Sequence, residues 1–150
     1  MKRLAKIIGS AFGSGYSPVA PGTVGSLVAI VAIWLLPAMS LSTLIVTCFI
    51  FFAIGVWAAT ICEKDWGHDA HRIVWDEVVG MMISIAALPK QWAIYIAAFC
   101  LFRFFDIVKP FPANVSQRLP KGWGVMIDDI IAALYTNIVL QIVVKYVLHL

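Results

Sequence analysis

Charge is scarce in this sequence: only 13% of its 150 residues are Asp, Glu, Lys or Arg, against about 25% in soluble proteins. The hydrophobic share is 62% and the mean hydropathy +0.94, so there is too little polar surface to wrap a globule of this size, and lipid is the expected solvent. Cysteine is also sparse. Cys48, Cys62 and Cys100 are an odd number and lie in or beside apolar runs, which reads as buried reduced thiols rather than a disulfide framework. No cysteine is followed six positions later by arginine, so the phosphatase loop built on a cysteine nucleophile is missing. An Asp-x-Asp opening for an aspartyl-phosphate phosphatase is missing too, as is a serine triad with a plausible base. Neither Cys-x-x-Cys nor His-x-x-x-His spacing occurs, which removes a zinc set and leaves His68 and His71 as loop histidines. A net charge of +3 is too mild for a nucleic-acid groove and suits the anionic face of a cytoplasmic leaflet.

What is there in quantity is apolar helix. The basic start, MKRLAKIIGSAFGSGYSP, lacks the apolar stretch of a cleavable signal, so the N-terminus is expected to stay, and to stay inside. Ser26 to Cys62 is 37 residues without a charge, too long for one crossing of about 20. Pro37 to Ser40 divides it into helices near 24–36 and 41–62, because proline cannot donate within a helix and Ser40 can cap the next one. Val74–Leu88, Trp92–Phe105 and Met126–His149 supply three more segments. The expected fold is therefore an all-α, polytopic membrane bundle of about five segments in one domain, 1–150. The first, third and fourth segments measure roughly 20–23 Å against a hydrocarbon core of roughly 30 Å, so some are expected to be short or re-entrant.

Orientation follows from basic residues, which collect in cytoplasmic loops. With the N-terminus inside, nine of them (Lys2, Arg3, Lys6, Lys64, Arg72, Arg103, Lys109, Arg118 and Lys121) fall on the cytoplasmic side, and only Lys90 and Lys145 fall outside. The same threading puts all eight acids at cytoplasmic helix ends. Among them, Asp76-Glu77, Asp106 and Asp128-Asp129 sit at or just inside membrane segments, where an unpaired charge costs about 2.5–3.5 kcal/mol on insertion scales. Adjacent helical residues diverge by about 100°, so one acid of each pair can face the bundle. Converging carboxylates repel unless a cation neutralises them, and a hard oxygen site selects Mg²⁺ or Mn²⁺. Solvated helix-end acids paired with Arg103, Lys109 or Arg72 are the bland alternative.

Two further stretches suit a phosphate. The loop GSGYSPVAPGTVGS, 13–26, is built of small residues and opens into a helix whose first amides, with the hydroxyls of Thr23 and Ser26, favour an anion. Arg103, Asp106 and Lys109 recur at three-residue intervals and share a helix face as cation, acid, cation. What remains is metal-assisted attack on a phosphoryl group or similar electrophile, with water activated by Mg²⁺ and an acidic base.

Three blocks in order carry a resemblance: GSGYSPVAPGTVGS (13–26), DAHRIVWDEVVGM (69–81), and FRFFDIVKPFP (102–112) with GWGVMIDDIIA (122–132). Together they resemble the phosphatidylglycerophosphatase A family of bacterial lipid phosphatases, which usually has proline where this chain has Ala70. The resemblance implies Mg²⁺-dependent hydrolysis of phosphatidylglycerophosphate to phosphatidylglycerol and phosphate. It places the work at the cytoplasmic face of a bacterial inner membrane, on a phospholipid substrate and with no nucleic acid. It implies that Asp76, Glu77, Asp128 and Asp129 bind Mg²⁺ or poise water, that Asp106 is ligand or base, and that Arg103 and Lys109 hold the phosphate. Thr23 and Ser26 become phosphate contacts and Asp69 an outer orienting group. Rival readings are a small cation or proton-coupled transporter, a nucleotide-dependent lipid phosphotransferase, whose Asp-Gly-x-x-Ala-Arg opening is absent, and a non-catalytic scaffold. The residues leave oligomeric state open.

Overall fold

In the computed structural model, which describes residues 1–68, 70–147 and 149, the backbone is helical and no strand occurs among the described residues. In chain order the helices are α1 (Lys2–Gly9), α2 (Pro21–Leu35), α3 (Leu41–Trp66), α4 (Trp75–Ser84), α5 (Trp92–Val108), α6 (Ala113–Ser116) and α7 (Gly122–Tyr146), with a 3₁₀ turn at Ser14–Tyr16 between α1 and α2.

Local chemistry sets the breaks. Pro21 opens α2 at its first position, where its missing N–H costs nothing. Leu36 is extended ahead of Pro37, and the Ser40 hydroxyl accepts the Thr43 N–H at 3.2 Å to start α3. Lys109 ends α5 in the left-handed region, at φ 46°, just before Pro110. Helix α7 starts at Gly122, four residues earlier than hydropathy indicates, and the Gly122 N–H donates to Thr60 Oγ1 at 3.1 Å. Helix α3 runs on through the charged Glu63-Lys64-Asp65, because Asp65 is held by Lys6 at 2.8 Å and Lys2 at 3.3 Å from α1.

Five helices correspond to the five expected segments, but among the described residues only α3 and α7 are long and apolar enough to cross a membrane. At 26 and 25 residues they measure about 39 and 38 Å. Helices α2, α4 and α5, with 15, 10 and 17 residues, reach about 22, 15 and 25 Å. The third segment departs most from expectation. Its apolar run continues to Leu88, yet the helix stops at Ser84 and the chain finishes as turns.

The core lies where α7 packs across α4 and α5, around Met81, Tyr95, Ala98, Phe102, Ala132, Ala133 and Leu140, with Ala29 and Ile30 from α2. Gly80 lets α4 approach the Phe102 ring: a Cβ there would lie 2.5 Å from Cζ. Gly80→Ala should therefore destabilise the detergent-solubilised protein by about 1–3 kcal/mol, read as a lower midpoint of thermal unfolding.

The antiparallel threading gathers one set of helix ends. Trp34 near the end of α2 stacks on Trp92 at the start of α5, with ring centroids 3.9 Å apart, and Lys90 donates to the Leu36 carbonyl. The N-termini of α2, α4 and α7 and the C-terminus of α5 meet at the other end.

Candidate active site

At that end lies a cavity of about 340 Å³ whose wall includes Gly22, Asp76, Glu77, Arg103, Asp106, Lys109 and Asp129. Asp76 and Glu77 form the first turn of α4, where exposed backbone N–H groups favour negative charge. That turn is fixed from both sides, by the Val74 N–H to the Gly9 carbonyl at 2.8 Å and by Trp75 Nε1 to the Phe51 carbonyl at 3.0 Å. Asp128 and Asp129 come from the second turn of α7, and Arg103, Asp106 and Lys109 from the last turns of α5.

All five acidic residues are at most 8% exposed. Asp76, Glu77 and Asp129 each offer an oxygen, and these three atoms lie within 4.8 Å of one another. Arg103 Nη1 bridges Glu77 Oε1 at 3.4 Å and Asp106 Oδ2 at 2.7 Å. Lys109 Nζ is 3.7 Å from Asp106 Oδ1 and in close contact with Asp128 Oδ2. Burial works to lower the Lys109 pKa, but the Asp128 carboxylate outweighs it and holds the amine above its ordinary value.

The balance of charge is uneven. Five acids face two cations, and Glu77 Oε2 and Asp129 Oδ2 are buried without a hydrogen-bond partner. Buried carboxylate oxygens are ordinarily paired. Three close oxygens with two orphaned lone-pair sets are the donor set a hard divalent cation takes, so the residues present fit Mg²⁺.

The two adjacent acidic pairs thus divide unequally. Asp76 and Glu77 both enter the trio, whereas Asp129 joins it and its neighbour Asp128 turns to Lys109, its Oδ1 also accepting the Asp129 N–H at 3.0 Å. Asp106 sits between the two cations. Ser26 is fully buried and its hydroxyl donates to the Gly22 carbonyl at 2.9 Å; Thr23 is half-buried, and the cavity wall on this side is Ala20, Pro21 and Gly22. Asp69 lies outside the described residues. Gly22, His71 and Gln117 also line the cavity, and none is among the site residues expected from the sequence. For Gly22 the small-residue loop was the available signal: a Cβ there would overlap Glu77 Oε1 and stand 3.1 Å from the Arg103 guanidinium. Nothing in the spacing of His71 or Gln117 marked them.

The sequence matches the family model described as Phosphatidylglycerophosphatase A over residues 7–144. The chain belongs to this family. Members named phosphatidylglycerophosphatase A include a Haemophilus influenzae protein, 44% identical over 132 residues covering 85% of this chain and 81% of the relative. An Escherichia coli protein of the same name is 42% identical over 124 residues, 81% of this chain and 72% of the relative. A Bacteroides thetaiotaomicron protein, provisionally named a phosphatidylinositol-3-phosphatase, is 44% identical over 154 residues, covering 95% and 96%. No solved structure matches. As a phosphatidylglycerophosphatase A family member the chain is a phosphoric monoester hydrolase, and the transporter reading has no support.

Proposed function

We propose that this enzyme hydrolyses phosphatidylglycerophosphate to phosphatidylglycerol and inorganic phosphate, using Mg²⁺ held by Asp76, Glu77 and Asp129. The observation that carries the reading is the pair of unpartnered buried oxygens in the carboxylate trio, beside two basic side chains in one cavity. Bound there, Mg²⁺ would supply a Lewis-acid charge that makes water a better nucleophile and draws density from the phosphoryl oxygens. Arg103 and Lys109 hold the monoester and meet the charge that spreads over its oxygens in the transition state. Asp106 and Asp128 are tied to those cations, so they aim them. An unpartnered oxygen of the trio, Glu77 Oε2 or Asp129 Oδ2, accepts the proton as water attacks phosphorus and passes it to the lipid oxygen as that P–O bond breaks, so that the alcohol and phosphate leave.

The proposed setting is a multi-pass bundle in a bacterial inner membrane, with the N-terminus and site toward the cytoplasm. Only 28% and 39% of the most apolar windows of α3 and α7 are buried within the protein, and residues such as Phe49, 72% exposed, leave outward faces that need a lipid cover. The wider charge distribution supports the same orientation, since nine basic residues go with the site end. Substrate then enters from the leaflet with its headgroup in the cavity.

The test is phosphate release by detergent-purified protein, with Mg²⁺ or with excess chelator, from phosphatidylglycerophosphate and from phosphatidylinositol 3-phosphate. Metal-dependent release from the first, faster than from the second, is expected. Faster release from the inositol lipid would transfer the substrate assignment to the activity in the Bacteroides relative's name, and undiminished release in chelator would remove the metal.

A further inference from the structure

Helix α4 ends at Ser84 inside the apolar part of the chain, six residues before Lys90. A helix end in an apolar setting leaves carbonyls that need donors. Ile83 and Ile85 are satisfied by the turns that follow, through the Ala86 and Leu88 N–H groups at 3.1 Å each. Those of Ser84, Ala86 and Ala87 are met by two side chains of α7. Asn137 Nδ2 donates to the Ser84 carbonyl at 3.2 Å and the Ala86 carbonyl at 2.8 Å, and Gln141 Nε2 donates to Ala86 at 3.0 Å and Ala87 at 3.3 Å.

These amides stand one turn apart on the helix that also carries Asp129. Asp129 to Asn137 is eight residues, about 12 Å along α7, and Glu77 to Ser84 is seven residues, about 10 Å along α4. The two helices run in the same direction from the cavity, so they are joined by two rungs: carboxylates at the cavity end and amide bonds at the far end. At the carboxylate end like charges push α4 and α7 apart, so the far rung adds directional bonds to the core packing that holds their register.

We infer that Asn137 and Gln141 are positioning residues that set the height at which Asp76 and Glu77 meet Asp129. The inference rests on the metal reading above. A slip along α4 would separate the trio's oxygens, and loss of outer supports of this kind typically weakens metal binding about 10–100-fold.

The test is Mn²⁺ binding to the full chain in detergent, followed by loss of the free-ion paramagnetic resonance signal. Asn137→Leu/Gln141→Leu should bind Mn²⁺ at least about tenfold more weakly than the unaltered protein, and Gln141→Asn, which keeps the donor group, should recover part of the loss. Leu140→Ala, which empties a buried core position on the same helix, should lower thermal stability and leave Mn²⁺ affinity unchanged. If the double variant does not fold, Gln141→Leu alone should show a smaller weakening in the same direction. Wild-type affinity in the leucine variants, with binding intact in the parent, would overturn the inference and leave the metal reading standing. No binding by the parent would remove both.

Discussion

Asp129→Asn is expected to lower turnover by on the order of a thousandfold while raising thermal stability measured in chelator. The two effects share one cause. Asp129 is 3% exposed, sits within 4.8 Å of Asp76 and Glu77, and has one oxygen without a partner. Without a cation it adds a third negative charge to a buried cluster, and the amide removes that repulsion with almost no change of shape. With Mg²⁺ the sign reverses, because the parent gains stability from an ion that binds only the folded state and the variant gains little. Melting curves with and without Mg²⁺ should therefore cross over between the two proteins. A variant that keeps normal turnover, or that is less stable than the parent in chelator and still gains from Mg²⁺, would show that Asp129 is a structural acid. Asp128→Asn should behave differently: its carboxylate is the closest partner of the half-buried Lys109, so its loss leaves that amine only the more distant Asp106, at 3.7 Å, and destabilises the protein under both conditions.

That contrast marks the limit of what the sequence makes legible. Proline and charge punctuate the chain clearly enough that α2, α3, α5 and α7 fall near their expected places, and the acids of one helix end are visible as a set. Two features are hidden. An apolar run does not say where its hydrogen bonds go, so the stop at Ser84 depends on donors 53 residues away on α7, and Asn137 and Gln141 look like isolated polar residues in a long helix. The division of labour between Asp128 and Asp129 is equally invisible. Adjacent side chains point about 100° apart, but which one finds a cation is decided by α5, whose left-handed end at Lys109 aims that amine at α7. Hydroxyl content drew attention to Thr23 and Ser26, whereas Ser26 is engaged in its own helix and Gly22 is the residue against the site.

Arg103→Lys should lower kcat/KM by about 10²–10³-fold, although charge is conserved. The guanidinium spans Glu77 and Asp106 from one nitrogen, with Nε buried and unpartnered, so its planar fork both fixes the trio's edge and keeps donors for a phosphoryl oxygen. An ammonium carries its three donors on one atom of a differently shaped side chain and cannot reproduce the planar fork that reaches both acids and the phosphoryl oxygen together. Steady-state kinetics separate these duties. If Arg103 binds only the ground-state phosphate, KM rises and kcat stays; if it meets charge that develops on the phosphoryl oxygens, kcat falls as well. The bridge to Glu77 favours the second outcome, because moving Glu77 also disturbs the water-poising trio. Gly22→Ala offers an independent check from the opposite wall. Its Cβ would overlap Glu77 Oε1 and press on the guanidinium, so it should reproduce the fall in kcat without altering any charge, and unchanged kcat in both variants would place Arg103 outside the chemical step.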